Sequence, residues 1–160
     1  MKSFWTACAL AIGGMLVMVS AAAAQSVTLD ATLSGGEEVP ILLSGAVGTA
    51  EVSVDTVARE LTVSLRLFNF PTGTAAGHIH VGPRGVAGPV VINFPIPAGR
   101  TGDLTLSFRV GPAAFVPRPE IGILTLDDAI QSIVEGNSYV NIHTSQFPAG
   151  EIRGQLTVRQ

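Results

Sequence analysis

The sequence predicts an all-β fold: an antiparallel β-sandwich or Greek-key-like barrel of about eight strands with one short helix. Apolar and polar residues alternate with a period of two in run after run of the chain, the strand period rather than the 3.6 of a helix. The runs are punctuated by turn residues from a pool of 18 Gly and 10 Pro, the pattern of many short strands joined by tight connections.

Each element follows from its own pattern. Val27, Leu29, Ala31 and Leu33 alternate with Thr28, Asp30 and Thr32, giving a first strand with one buried face. Ala50, Val52 and Val54 alternate with Glu51, Ser53 and Asp55 in a second. Leu61, Val63, Leu65 and Leu67 alternate with Thr62, Ser64 and Arg66 in the third and clearest. Further strands are expected over 76–81, 89–94, 104–110, 139–144 and 151–158. Thr125 can cap a helix from 126 to about 134, with Asp127 and Asp128 in its first turn. Leu126, Ile130 and Ile133 would face the core, and Gly136-Asn137 would end it. The Pro-rich piece 111–119 reads as a connection.

The N-terminal end has a different character. Lys2 precedes an apolar run over 4–19, and Ser20-Ala21-Ala22-Ala23-Ala24 supplies the small residues of a signal-peptidase site. Residues 1–24 are expected to be a signal peptide, so the protein is expected to be exported, periplasmic or secreted. Residues 25–160 then form one β domain. The single cysteine, Cys8, would leave with the signal, and the domain would have to hold together without a disulfide.

The formal net charge of −3 becomes one unit more negative once Lys2 is lost. No basic cluster of the kind nucleic acid requires is present. No second apolar stretch is long enough to span a bilayer.

All three histidines lie in two strand-like pieces: His78 and His80 in Gly-His-Ile-His, and His143 in Tyr-Val-Asn-Ile-His-Thr. On a strand, His78 and His80 share one face, roughly 6.5–7 Å apart, while Ile79 points inward. The last two strands can be paired from the sequence alone. With Ile142 opposite Ile152, Val140 meets Gly154 on the buried face. On the other face His143 meets Glu151, Asn141 meets Arg153, and Tyr139 meets Gln155. That face is polar throughout and is expected to be open to solvent.

His78, His80 and His143 could therefore ligate one metal ion, with Glu151 as a further ligand or as the acceptor fixing the His143 tautomer. Three neutral imidazoles suit copper or zinc better than calcium or magnesium. An exposed site without thiolate favours copper(II) or zinc over copper(I); copper is the first expectation, with zinc possible. Arg153 beside it could steer an anion toward the metal. The plain alternative is that the histidines are solvated side chains or bond loop carbonyls.

Other chemistries lack their parts. No serine sits in a nucleophile-elbow context. The glycine-rich loop 82–88 lacks the lysine and following helix of a phosphate-binding loop. Glu37 and Glu38, adjacent in sequence, would point apart on a strand and form no catalytic pair.

Several of these pieces resemble a known family. Leu33-Ser34-Gly35-Gly36-Glu37-Glu38-Val39-Pro40 resembles the opening "sGxxEVPP" element of CHRD domains, named for chordin and widespread in secreted bacterial proteins. Gly77-His78-Ile79-His80 and Gly88-Pro89-Val90-Val91 are similar to later landmarks of the family. So is the block from Tyr139-Val140-Asn141-Ile142-His143-Thr144 through Gly150-Glu151-Ile152-Arg153-Gly154-Gln155-Leu156. Two departures are visible: Pro40 is followed by Ile41 instead of a second proline, and Val81 intervenes before Gly82.

The resemblance implies a secreted all-β domain. In chordin such domains belong to an extracellular protein that binds signalling ligands. The His-x-His strand is also similar to the copper strand of copper/zinc superoxide dismutases, although the bridging-histidine loop, the disulfide and a fourth copper histidine are missing. Three readings stand at this level: an exported copper-binding protein, a copper-dependent dismutase-like enzyme, and a non-enzymatic module whose loops bind a protein partner.

Overall fold

A computed structural model describes residues 26–160 of the chain. The expected signal peptide over 1–24 lies outside the described residues.

The chain forms one curled antiparallel sheet. β1 (Ser26–Ser34), β2 (Val47–Asp55) and β3 (Glu60–Phe70) make a meander with unbroken register: Leu29 faces Val52, and Val52 faces Val63. Their alternation puts Leu29, Leu33, Val52, Val54, Leu61, Val63, Leu65 and Leu67 into the core, all fully buried. β4 (Thr74–Val81) and β5 (Val90–Asn93) form a second hairpin, and β6 (Gly102–Val110) returns to pair with β3. β7 (Ser138–Thr144), β8 (Ile152–Gln155) and β9 (Thr157–Val158) complete the sheet.

The strand order is β5-β4-β7-β8-β1-β2-β3-β6, with β9 also on β1. Sequence neighbours on this path are therefore separated at three places: by the short link 71–73 after β3, by 94–101 after β5, and by the long segment 111–137, which includes the helix, after β6. The two ends of the sheet curl toward each other. Phe94, just past β5, meets Phe108 of β6 with ring centroids 5.3 Å apart, so side chains close the sandwich where no ladder does.

The helix α1 (Leu126–Val134) carries the expected cap. The Thr125 side chain accepts from the Asp128 amide, and the Asp128 carboxylate accepts from the Thr125 amide. Leu126, Ala129, Ile130, Ser132 and Ile133 are buried. No helix among the described residues is long and apolar enough to cross a membrane.

The closing hairpin pairs Ile142 with Ile152, Val140 with Gly154, Asn141 with Arg153, and Tyr139 with Gln155, the register read from the sequence. Two details differ. The ladder stops at Ile152, so Glu151 does not face His143; its amide donates to the Ile142 carbonyl instead (2.8 Å). The last strand is also split, giving nine strands. At Leu156 the backbone amide turns to the Ser138 carbonyl (2.9 Å) and the side chain enters the core. Both halves keep one register against β1.

Because the apolar core is a single cluster, its centre should dominate stability. Leu65→Ala is expected to lower unfolding free energy by about 3 kcal/mol, and Thr125→Ala by about 1 kcal/mol. Urea denaturation compares them directly. Equal losses would mean that the sheet core is not the main support.

Candidate metal centre

Pairing of β4 with β7 sets His78 against Asn141, His80 against Tyr139, and Ala76 against His143. Ile79, Val140 and Ile142 point into the core. The opposite face collects His78 and His80 from β4, Tyr139, Asn141 and His143 from β7, and Arg153 and Gln155 from β8.

This polar face is not open to solvent as its composition suggests. His80 and His143 are only 8 % and 7 % exposed, and Tyr139, Asn141 and Arg153 are buried too. His78 is half-buried. Two loops cover the face. Loop 82–88 folds back onto it, and its closest approach requires glycine: a Cβ on Gly88 would fall 1.7 Å from the Val81 carbonyl oxygen. Loop 145–150 covers the other end.

The covering loops supply the hydrogen-bond partners that burial demands. Nδ1 of His80 donates to the Gly88 carbonyl (2.9 Å), and Nδ1 of His143 donates to the Pro148 carbonyl (3.0 Å). The Tyr139 hydroxyl accepts from the Gly88 amide (3.0 Å) and donates to its carbonyl (3.3 Å). A ring that donates from Nδ1 keeps its Nε2 lone pair free. His80 Nε2 is buried and has no partner. His143 Nε2 lies 3.0 Å from Nδ1 of His78.

One nitrogen from each ring falls within 4.8 Å of the other two. Two metal–nitrogen bonds of about 2 Å can span the closest pair, and movement of under about an ångström per ring would bring in the widest. The chemistry of the set is that of a borderline transition-metal site: three neutral nitrogens and no thiolate.

Electrostatics keep the rings neutral. Burial, then the imidazoles of His143 and His80, push the His78 pKa down to about 4. Burial likewise brings His80 to about 4 against the opposing Gly88 bond, with His143, Arg153 and Arg118 adding to the fall. His143 is lowered by burial, opposed by its bond to Pro148. Neutral rings release no net proton when a metal binds, although the proton that His78 Nδ1 directs at His143 Nε2 must shift within its ring first.

The other candidates sit elsewhere. Glu151 does not join the histidine group. It is fully buried, and its two oxygens accept from Ser44 Oγ and Thr144 Oγ1 (2.7 Å each). The hydrogen bond from its amide to Ile142 goes with this turn toward Thr144. Arg153 is 3 % exposed, too buried to meet an ion arriving from solvent. Its guanidinium lies 4.3 Å from the Tyr139 ring centroid and donates to the Val86 carbonyl. Tyr139 in turn stacks on His80 at 4.9 Å with 13° between the planes.

Two residues join the face without having been singled out for it. Arg118, whose Nε donates to the Val90 carbonyl (2.6 Å), adds a second cation near His80. Glu38 turns inward and is 7 % exposed, while Glu37 pairs with Arg84 at the surface. Burial raises Glu38 to about 7, with the Arg153 charge pulling it back.

The CHRD domain family model matches residues 29–156, which takes in every residue of this face. No curated protein and no solved structure matched the chain.

The shifted groups predict opposing pH limbs. Between about pH 4 and 6.5 the unfolded chain binds protons at His78 and His80 that the folded protein does not. Their contribution to stability is complete above this window and falls as pH drops through it. Glu38 acts in reverse: its contribution is present below about 4.5 and lost as pH rises through about 7. His80→Gln should flatten the acid limb of the metal-free protein, measured as urea midpoints across the window. An unchanged limb would contradict a buried neutral His80.

Proposed function

We propose that the chain, which belongs to the CHRD domain family, is a transition-metal-binding protein that holds copper through His78, His80 and His143. One observation carries the reading. Two of the three rings are fixed by Nδ1–H donation to loop carbonyls, and the buried Nε2 of His80 is left with a lone pair and no partner. A buried nitrogen without a partner is costly, and a metal ion is the acceptor to which the Nε2 lone pairs of His80 and His143 can donate together. His78 joins them once its Nδ1 proton, now directed at His143 Nε2, shifts to the other ring nitrogen.

Copper is favoured over zinc by the donor set. Among divalent first-row ions, imidazole sites bind copper(II) most tightly, and no carboxylate in the group adds a preference for a harder ion. The guanidinium groups of Arg118 and Arg153 raise the potential around His80, which suits a small anion at an open position of the metal. This is the support for a dismutase-like alternative. Arg153 would act through its field, with Tyr139 between it and His80.

Export is proposed from the charged start, apolar run and alanine-rich exit of residues 1–24. The interaction-module reading has one observation in its favour: Ile41 and Leu43 are 72 % and 96 % exposed in the loop after Glu38. Such a loop offers apolar contact to a protein partner.

Titration of tag-free protein with copper(II) and zinc(II) should give one ion per chain, copper the tighter. His143→Ala is expected to weaken binding by about 100-fold or more, since outer partners alone are worth 10- to 100-fold. Unchanged stoichiometric binding would remove the three-histidine site, and no binding of either ion would leave the interaction module. Superoxide decay faster than with free copper would make the protein an enzyme; a rate no greater would leave it a carrier.

A further inference from the structure

Glu38 is out of place for an acid. It follows the 3-10 turn Gly35–Glu37 and points its side chain under the loops. Its Oε1 is buried without a partner, and so is Oδ1 of Asn141. The Asn141 side chain and Glu38 Oε1 crowd Gly150 together: a Cβ there would lie 2.7 Å from Asn141 Nδ2 and 2.8 Å from Asn141 Oδ1 and Glu38 Oε1, at a φ of 132°. The Asn141 side chain favours the carboxylate through a hydrogen bond, yet its Oδ1 and Glu38 Oε1 are both acceptors left without a donor when Glu38 is ionised. A carboxylic acid, which has an O–H to donate, satisfies both with one proton.

Asn141 also connects Glu38 to the histidines. It is the register partner of His78 on one side and of Arg153 on the other, two residues from His143. The acid is therefore joined to the covered face of the proposed metal site through Asn141.

We infer that Glu38 is the charge-compensating proton site of the centre: it is a neutral acid when the histidines are empty, and it gives its proton to solvent when a divalent cation binds. This rests on the metal-binding reading above. The three imidazoles bring no negative charge, and Glu151 is committed to Ser44 and Thr144. Of the acids on this face, Glu38 is the one free to respond. The cation enters as M²⁺, the O–H bond of Glu38 breaks, one proton leaves, and a carboxylate remains beside Arg153.

The charged groups around it define the balance. Burial favours the acid; against it, Arg153 from β8, the Val39 backbone and the Asn141 side chain favour the carboxylate. Glu37 is paired with Arg84 on the outer side, and Glu151 follows Gly150 on the hairpin loop. Arg118 faces His80 from the 111–119 connection. Without metal the burial effect prevails. Two added positive charges reverse it.

The test is calorimetric titration of zinc(II) into tag-free protein at pH about 6, where an ordinary Glu would already be ionised. Repeating it in buffers of different ionisation enthalpy counts the protons released. Wild type should release about one proton per zinc more than Glu38→Gln, which is close to isosteric and should still bind. An infrared carboxylic-acid band in the metal-free wild type should disappear on zinc addition and be missing from Glu38→Gln. Equal proton release by the two proteins, with zinc bound by both, would overturn the role of Glu38 and leave the histidine site standing. Failure of both to bind zinc or copper would overturn the histidine site itself.

Discussion

Covering a polar face in a folded protein is costly unless its donors and acceptors find partners in whatever covers it, and every one left over adds to the cost. Here that constraint falls on the strip made by β4, β7 and β8. The Gly88 carbonyl takes the His80 proton, Gly88 also serves both roles of the Tyr139 hydroxyl, and Val86 receives Arg153. Gln155 donates to the Gly82 and Gly136 carbonyls. The remaining features of the centre depend on this lid of backbone. It fixes ring tautomers, lowers the histidine pKa values by burial, and leaves the orphan atoms that give the centre its chemical character.

The lid also explains which parts could be read from the sequence. The alternation of Leu61 through Leu67 and of Tyr139 through His143 is a local property, and strand period and face followed from it directly. So did the closing register, because Ile142 opposite Ile152 is the alignment that buries both. The cover was not readable: it depends on where loop 82–88 lands, more than fifty residues from Tyr139 in sequence, with an interval of 51 between Gly88 and that hydroxyl. A polar strip therefore looked like a solvent face.

Glu151 was misplaced for a related reason. Its backbone leaves the ladder one residue early, and Ser44, 107 residues away, provides the hydroxyl that draws its carboxylate off. Glu38 carried a signal only through its place in the opening element of the family. Nothing in its sequence neighbours distinguishes it from Glu37, which pairs with Arg84 at the surface.

The ring stack adds a second level of order. His143, His80 and Tyr139 lie face to face at 5.9 Å and 4.9 Å, and Arg153 sits over the tyrosine. A guanidinium over an aromatic face is held by the ring quadrupole, and here it needs no carboxylate in contact to be buried. The imidazole pair is thereby braced from β8 through a residue that touches no ligand nitrogen. Rigid support of this kind is what keeps a set of ligands within the tolerance a metal ion demands.

The strand order has a temporal consequence. β1 lies between β2 and the β8–β9 segment, so the first strand of the sheet waits for the last; Arg159 reaches Asp30 across 129 positions of chain. The histidines themselves meet across 65 positions. Contacts of such long range form late, because chain closure must precede them. Early in folding the β1–β3 meander can assemble by itself, while His143 remains apart from His78 and His80 on an open chain. Before β7 pairs with β4, His78 and His80 lack His143 and the set of three is incomplete. The three-histidine group is complete only once β7 has docked on β4, so any ion it holds would have to be taken up by the folded protein.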